Sequence, residues 1–304
     1  MASIDRGIVL AATPLGNPRD ASDHLRCLLA AADVIAAEDT RRLRALAGRL
    51  GVKPGGRVVS LFDHNERSRT ARLVEAAAQG LVAVVSDAGA PLISDPGFDL
   101  VRAAIAAGIR VSCAPGPSAV VAALMVSGLP ADRFAFEGFA PRAAGPRAAW
   151  LDALAGETRT VVAFDSPRRV AATLRAAAQR LGPDRPACLA RELTKPHEEI
   201  LRGSLGQLAD LAARRDLLGE VTLVLGGAPG PAGADLAAQV AQVERLVAAG
   251  DRVKDAVALV AGAHASPNRA LYQAVLAARA APQRPEAPGG GRQAAGGGRR
   301  AATA

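Results

Sequence analysis

Two α/β domains followed by a small all-helical module is the architecture this sequence predicts, and three observations predict it. Short apolar runs rich in β-branched residues alternate with helical patterns from Ile8 to Leu225, the signature of repeated strand–helix units. The chain has 304 residues, enough for two such domains with separate cores. After the glycine- and proline-rich stretch Gly226 to Gly233 the strand pattern stops, and only helical periodicity continues.

The elements follow in order. Ile8 to Ala12 is the first strand, ended by the turn Thr13-Pro14-Leu15-Gly16-Asn17-Pro18. Asp20 or Ser22 caps a helix to Ala32. Val34 to Ala37 is the second strand, and Glu38-Asp39-Thr40-Arg41-Arg42 opens a helix that Gly51 stops. Val58 to Phe62 is the third strand, followed by Asp63-His64-Asn65-Glu66 and a helix to Gln79. Val82 to Val85 is a buried parallel strand on which the chain is organised. It runs into Ser86-Asp87-Ala88-Gly89-Ala90-Pro91 and a second turn, Asp95-Pro96-Gly97. A helix from Phe98 to Ala107, a strand opening at Ile109, the turn Pro115-Gly116-Pro117-Ser118 and a helix from Ala119 to Ser127 complete the pattern.

In the second half, strands are expected at 134–139, 160–164, 187–190, 200–203 and 219–225. Pro141 to Arg147 reads as a flexible basic loop before a helix at 149–154. Asp165-Ser166-Pro167-Arg168-Arg169 starts a helix to Leu181, and Ser204 caps one to Ala213. The expected divisions are 1–117, 118–228, a helical module over 234–281 and a disordered tail over 282–304.

Composition removes several function classes. No apolar run reaches the roughly 18 residues of a membrane span, and Ile8 to Ala12 is too short for a signal peptide core. Cys27, Cys113 and Cys188 are isolated and odd in number, which fits a reducing cytoplasmic setting without structural zinc. The net charge is +8, half of it in residues 279–304. That balance is compatible with a polyanionic partner, and equally with an arginine-rich genome. The first turn does not match G-x-G-x-x-G, and no P-loop, HExxH or G-x-S-x-G pattern occurs. The four histidines show no metal-ligand spacing. Four strands in the first half end in polar or glycine-rich loops, and in an open α/β sheet that is the station where ligands bind. Taken singly, Asp87 is either a binding carboxylate or a turn former, and His64-Asn65 simply ends a strand.

The blocks ATPLGNP, AAEDTRR, DHNE, VSDAGAPLISDPG, APGPSAVVAAL, SGLPADRFAFEGFAPR, DSPRR, ARELTK and GEVTLVL resemble, in the same order, those of the ribosomal RNA small subunit methyltransferase I family. That family lies in the tetrapyrrole methylase superfamily, and the resemblance spans roughly residues 8–280. It implies two α/β domains of the tetrapyrrole methylase type, S-adenosylmethionine in the cleft between them, and a homodimer. The implied reaction is 2′-O-methylation of a decoding-centre cytidine of 16S rRNA in the small ribosomal subunit, in the cytoplasm. By motif, Pro14, Asp87, Ala88, Gly89, Ala90, Ile93, Ser118 and Ala119 match cofactor-binding positions, as do Phe164, Asp165 and Leu193 in the second domain. The family's Tyr–Glu–Ser–Pro–His run reads Phe164-Asp165-Ser166-Pro167-Arg168 here, a carboxylate shorter by one methylene and a guanidinium in place of an imidazole. Asp39 and His64, on loops expected to face the crevice, are the candidate general bases. Arg41, Arg142, Arg147, Arg168 and Lys195 are the candidate RNA phosphate contacts. A small-molecule tetrapyrrole methylase and a non-catalytic RNA-binding protein are the alternatives.

Overall fold

The computed structural model describes residues 6–62, 64–228, 236–264 and 268–280. The expected disordered tail over 282–304, Asp63 of the DHNE block and most of the Gly226–Gly233 linker therefore lie outside the described residues. The chain divides into one compact unit through Ala228 and a second from Pro229.

The first sheet is built from β1 (Gly7–Ala11), β2 (Val34–Ala37), β3 (Arg57–Ser60), β4 (Leu81–Val85) and β5 (Val111–Ala114), in the spatial order β3-β2-β4-β1-β5. Every pairing in it is parallel. Its central strands are apolar because helices cover both faces. Val9, Ala11, Ile35, Ala37, Ala83 and Val85 pack against α1 (Asp23–Ala31) and α2 (Thr40–Leu50). Ile8, Val34, Ala36, Val82 and Val84 pack against α3 (Glu66–Gln79) and α4 (Phe98–Ala106). The caps follow the sequence: Ser22 Oγ accepts from the Leu25 N–H, and Gly51 closes α2 in the left-handed conformation. β5 starts later than expected, because the Ile109 N–H is tied back to the Ala104 carbonyl at the end of α4.

The second sheet holds β6 (Phe134–Phe139), β7 (Thr160–Asp165), β8 (Pro186–Arg191), β9 (Glu199–Ser204) and β10 (Val221–Leu225), in the order β6-β7-β10-β8-β9. It is mixed: β6 and β7 are parallel, while β10 runs antiparallel to β7 and β8, and β9 to β8. One face is covered by α6 (Ala144–Ala153), α7 (Val170–Leu181) and α8 (Leu205–Ala213). The other is covered by α5 (Ala119–Ser127), whose Val120, Ala123 and Leu124 are buried. The expected basic loop is shorter than the sequence suggested. Gly145 and Pro146 fall inside the first turn of α6, where a proline has no hydrogen bond to lose, so Arg147 sits on a helix.

The second unit contains α9 (Leu236–Ala248), α10 (Val253–His264) and α11 (Asn268–Ala280) around Val243, Val257, Val260, Leu271 and Val275. No helix among the described residues is long and apolar enough to cross a membrane.

Candidate active site

β1 and β4 are neighbours whose following connections leave in opposite directions, to β2 and to β5. A crevice opens beyond the carboxyl ends of such a pair. The loops after the two strands are stitched together there. The Thr13 N–H donates to the Gly89 carbonyl at 2.8 Å, and the Gly89 N–H returns to the Thr13 carbonyl at 3.0 Å. Thr13 Oγ1 donates to the Ser86 carbonyl, and Ser86 Oγ to that of Gly89. Gly89 has φ +85°, and a Cβ there would come within 3.2 Å of Leu15 Cδ2, so position and neighbour both favour glycine. Leu92 and Ser94, at φ 71° and 67°, hold the rest of this loop in a conformation that side chains rarely adopt.

Asp87 ties this loop to the one after β2. Its Oδ1 accepts from the Asp39 N–H at 3.0 Å, and its Oδ2 pairs with Arg42 Nη1 at 3.1 Å. The Asp39 carboxylate caps α2 by accepting from the Arg41 N–H at 2.8 Å, and it also binds the Arg41 guanidinium. Those side-chain and backbone bonds from Arg41 hold Asp39 down at about 2.

The opposite wall belongs to the second sheet. Because β10 is antiparallel to β7, its start meets the end of β7, with Val221 opposite Asp165. Phe164 packs edge-on against Phe136 and Phe139, with centroids 4.9 and 5.4 Å away. Asp165 is buried. Its Oδ1 accepts from the Ser166 N–H at 2.7 Å and from Arg169 at 3.1 Å, whereas Oδ2 has no partner. Between the walls lies a cleft of about 310 Å³, within the range of about 300–1,000 Å³ usual for small-molecule sites. Its lining is apolar at Ala88, Ala90, Ile93, Ala119, Phe139 and Phe164, and carries Glu38, Asp87, Asp95, Asp165 and Glu220 against Arg42.

Of the expected cofactor positions, Asp87, Ala88, Gly89, Ala90, Ile93, Ser118, Ala119, Phe164 and Asp165 line this cleft. Pro14 lines an adjoining groove instead, with Gly16, Arg42, Arg49 and Lys195. Leu193 is packed in the core under α5 and is not part of the lining. Neither candidate base is there. Asp39 is occupied as the α2 cap, and His64 is exposed beside Phe62. Among the candidate phosphate contacts, Arg142 and Arg168 are exposed and Arg41 is exposed but bonded to Asp39. Lys195 is half-buried, with Nζ 2.8 Å from Glu192 and 3.1 Å from Glu220. Sequence reasoning missed Leu15, Glu38, Arg42, Asp95, Phe139, Pro167 and Gly219 to Thr222 as lining residues. Glu38 and Arg42 carried a signal, since they flank Asp39 at a strand end. Gly219 to Thr222 stood out only as the start of the GEVTLVL block, because the sequence does not reveal that β10 runs against β7.

The family model for tetrapyrrole (corrin/porphyrin) methylases matches residues 7–209. A curated relative from Mycobacterium tuberculosis, named ribosomal RNA small subunit methyltransferase I, is 57% identical over 90% of this chain and 95% of its own. The chain belongs to that methyltransferase family. Relatives of the same name from Mesorhizobium japonicum and Haemophilus influenzae are 41% and 39% identical, over 90% and 89% of this chain and 92% and 96% of theirs. Among solved structures, the methyltransferase CobJ is similar with a TM-score of 0.57 at 19% identity, over 75% of this chain and 97% of that one. The uroporphyrin-III C-methyltransferase of Thermus thermophilus complexed with S-adenosylhomocysteine gives 0.51 at 21%, over 73% and 97%. These two likenesses speak for the fold. As a member of the ribosomal RNA small subunit methyltransferase I family, the chain is an S-adenosylmethionine-dependent methyltransferase.

The cleft suits that cofactor. A sulfonium and an ammonium against one carboxylate make the molecule a net cation, and the lining is rich in carboxylates, three of which already hold cations: Asp87 with Arg42, Asp165 with Arg169 and Glu220 with Lys195. Its adenine is flat and apolar enough for the alanine and phenylalanine walls. Asp165 Oδ2 is a buried acceptor at this wall that has no donor from the protein.

Proposed function

We propose that this enzyme methylates the ribose 2′-oxygen of a decoding-centre cytidine in 16S rRNA of the small ribosomal subunit, with S-adenosylmethionine held between the two sheets. The observation that carries the reading is the acidic, apolar-walled cleft at the β1–β4 switch point, in a chain 57% identical to a ribosomal RNA small subunit methyltransferase. When bound, the cofactor supplies an electrophilic methyl group. Ala88, Gly89, Ala90, Ile93, Ser118 and Ala119 would hold it on one side, and Phe164 and Asp165 on the other. The apolar walls keep water from the methyl group, and the Asp87 ion pair fixes the floor.

The adjoining groove shares Leu15, Arg42, Asp87, Ala88 and Glu220 with the cleft, so a nucleotide seated in it would lie beside the cofactor. Arg42 and Arg49 are seven residues apart on α2 and both border that groove; Arg42 is held by Asp87, so Arg49 is the phosphate contact proposed there. Exposed Arg41, Arg142 and Arg168 extend the same role outward. Holding the 2′-hydroxyl in line would contribute to the acceleration, orientation being worth up to about 7–11 kcal/mol, and the hydroxyl proton would leave to solvent as the oxygen takes the methyl group. Asp39 and His64 take no part in this mechanism. The expected homodimer would have an apolar patch to use: α5 is apolar along most of its length and leaves Val121 and Met125, one turn apart, half or more exposed.

The test is transfer of labelled methyl to small subunits lacking the modification, followed by nucleoside analysis. Label on a 2′-O-methylcytidine from the decoding centre supports the reading. Label on a base, or transfer to a tetrapyrrole and not to RNA, overturns it.

A further inference from the structure

The helical unit carries a site that the methyl-transfer chemistry leaves unused. A groove of about 390 Å³ runs between α10 and α11, lined by Lys254, Val257, Ala258, Asn268, Arg269 and Tyr272. Its floor is apolar, since Val257 is buried in the core of the unit. Tyr272, the single tyrosine of the chain, follows buried Leu271 but is itself 39% exposed. On α11, Arg269 and Tyr272 are three residues apart and share a face. On α10, Lys254, Val257 and Ala258 do the same. The aromatic side chain therefore shares the groove with two cations from different helices, and no acidic side chain lines the groove among the described residues. Asn268 begins α11, a 13-residue helix whose positive dipole end adds to the attraction for an anion there.

An aromatic face beside paired positive charges is the combination that recognises unstacked nucleic-acid bases and their phosphates. We propose that this groove binds single-stranded RNA, one base stacked on Tyr272 and the flanking phosphates held by Lys254 and Arg269. The inference rests on the RNA-methylating reading above and adds to it a second place where RNA is held, outside the cleft. An acidic peptide with an aromatic anchor has related chemistry, but an exposed aromatic side chain with a cation contributed by each helix favours a base with its flanking phosphates.

The experiment uses the full-length protein and a fluorescein-labelled oligouridylate, read by anisotropy over a range of salt concentrations. Tyr272→Ala is expected to weaken binding about ten-fold or more, whereas Tyr272→Phe, which keeps the ring, stays close to wild type. Lys254→Gln with Arg269→Gln is expected to reduce the slope of log affinity against log salt by roughly 1.4, about 0.7 for each phosphate no longer neutralised. Helix content by circular dichroism and S-adenosylmethionine affinity, measured on each variant, should not move. Unchanged RNA affinity and salt slope in these folded variants would overturn the proposal, as would displacement of the RNA from wild type only at sites insensitive to Tyr272. Binding of an acidic peptide, and not of RNA, at this groove would do the same. Wild-type methyl transfer to small subunits is run beside these assays. If it succeeds while Tyr272→Ala binds RNA normally, this groove is excluded and the methylation reading stands. If it fails, the methylation reading falls whatever the groove does.

Discussion

Asp87 and Arg42 form the ion pair that joins the floor of the cleft to the groove beside it, with Oδ2 and Nη1 3.1 Å apart. Both residues line both cavities, and the other carboxylate oxygen of Asp87 holds the Asp39 N–H. Asp87→Ala leaves a guanidinium and a backbone N–H without their acceptor. The expected cost is about 1–3 kcal/mol of stability, read by urea denaturation, with weaker S-adenosylmethionine binding by calorimetry. Asp87→Asn keeps an acceptor for Asp39 and should fall between the two.

Gly16 and Lys195 are coupled through space. A Cβ on Gly16 would overlap Lys195 Cγ, which crosses directly over it. Beside this crossing the Asn17 N–H donates to Thr194 Oγ1, so the first turn of one sheet is clasped by a loop of the other. Glu192 and Thr194 in that loop have φ 51° and 63°. Gly16→Ala should destabilise the protein by about 1–3 kcal/mol, the usual cost of overpacking. Lys195→Ala removes the obstacle, so the double variant should be more stable than the sum of the single effects predicts. Strict additivity would show that the clasp is not under this constraint.

The same clasp sets a pH window. Burial pushes Glu192 up, but the bonds from Lys195 Nζ and the Glu220 N–H outweigh it and leave Glu192 below its ordinary 4.5. Burial pushes Lys195 down, and Glu192 and Glu220 together bring it above its ordinary 10.5. A lowered carboxylate stabilises above its unfolded value and loses this as pH falls through the folded one. A raised ammonium stabilises below its unfolded value and loses this as pH rises. The stability difference between wild type and Lys195→Met should therefore be flat between pH 4.5 and 10.5 and shrink on either side. A difference that changes steadily across neutral pH would contradict this.

Asp39 is a natural candidate base from its position at a strand end, and its geometry argues otherwise. Its carboxylate is bonded to Arg41 and held at about 2, which makes it a weaker proton acceptor than an ordinary carboxylate. Asp39→Asn and His64→Ala should fall well short of the roughly 10²–10⁴-fold loss that removing a general base brings. The limbs of the pH–rate profile should stay in place. A missing limb in either variant would restore that residue to the chemistry.

The first sheet is legible in the sequence because its central strands are buried on both faces and its elements end in glycine turns, as at Gly89 after β4 and Gly51 after α2. The loops after β1 and β4 are legible for the same reason, and they make one wall of the cleft. The other wall is legible only in part. Phe164 and Asp165 enter through a resemblance, and Glu220 enters only as part of the GEVTLVL block with no role at the site, since strand direction is a tertiary fact that no local pattern encodes. Leu193 is a position placed by motif whose side chain is packed under α5 and lies outside the cleft lining. Arg147 shows how proline misleads, because a residue read as a loop marker sits comfortably in a first helical turn.

The central claim is that S-adenosylmethionine occupies the cleft between the two sheets. It is tested most directly by calorimetric titration of the cofactor into wild type and Ala90→Trp, a substitution that fills the cleft from a half-buried wall position. The account predicts saturable binding to wild type, and none detectable to a variant that unfolds at the wild-type temperature. Equal affinity in the two proteins would place the cofactor elsewhere and contradict it.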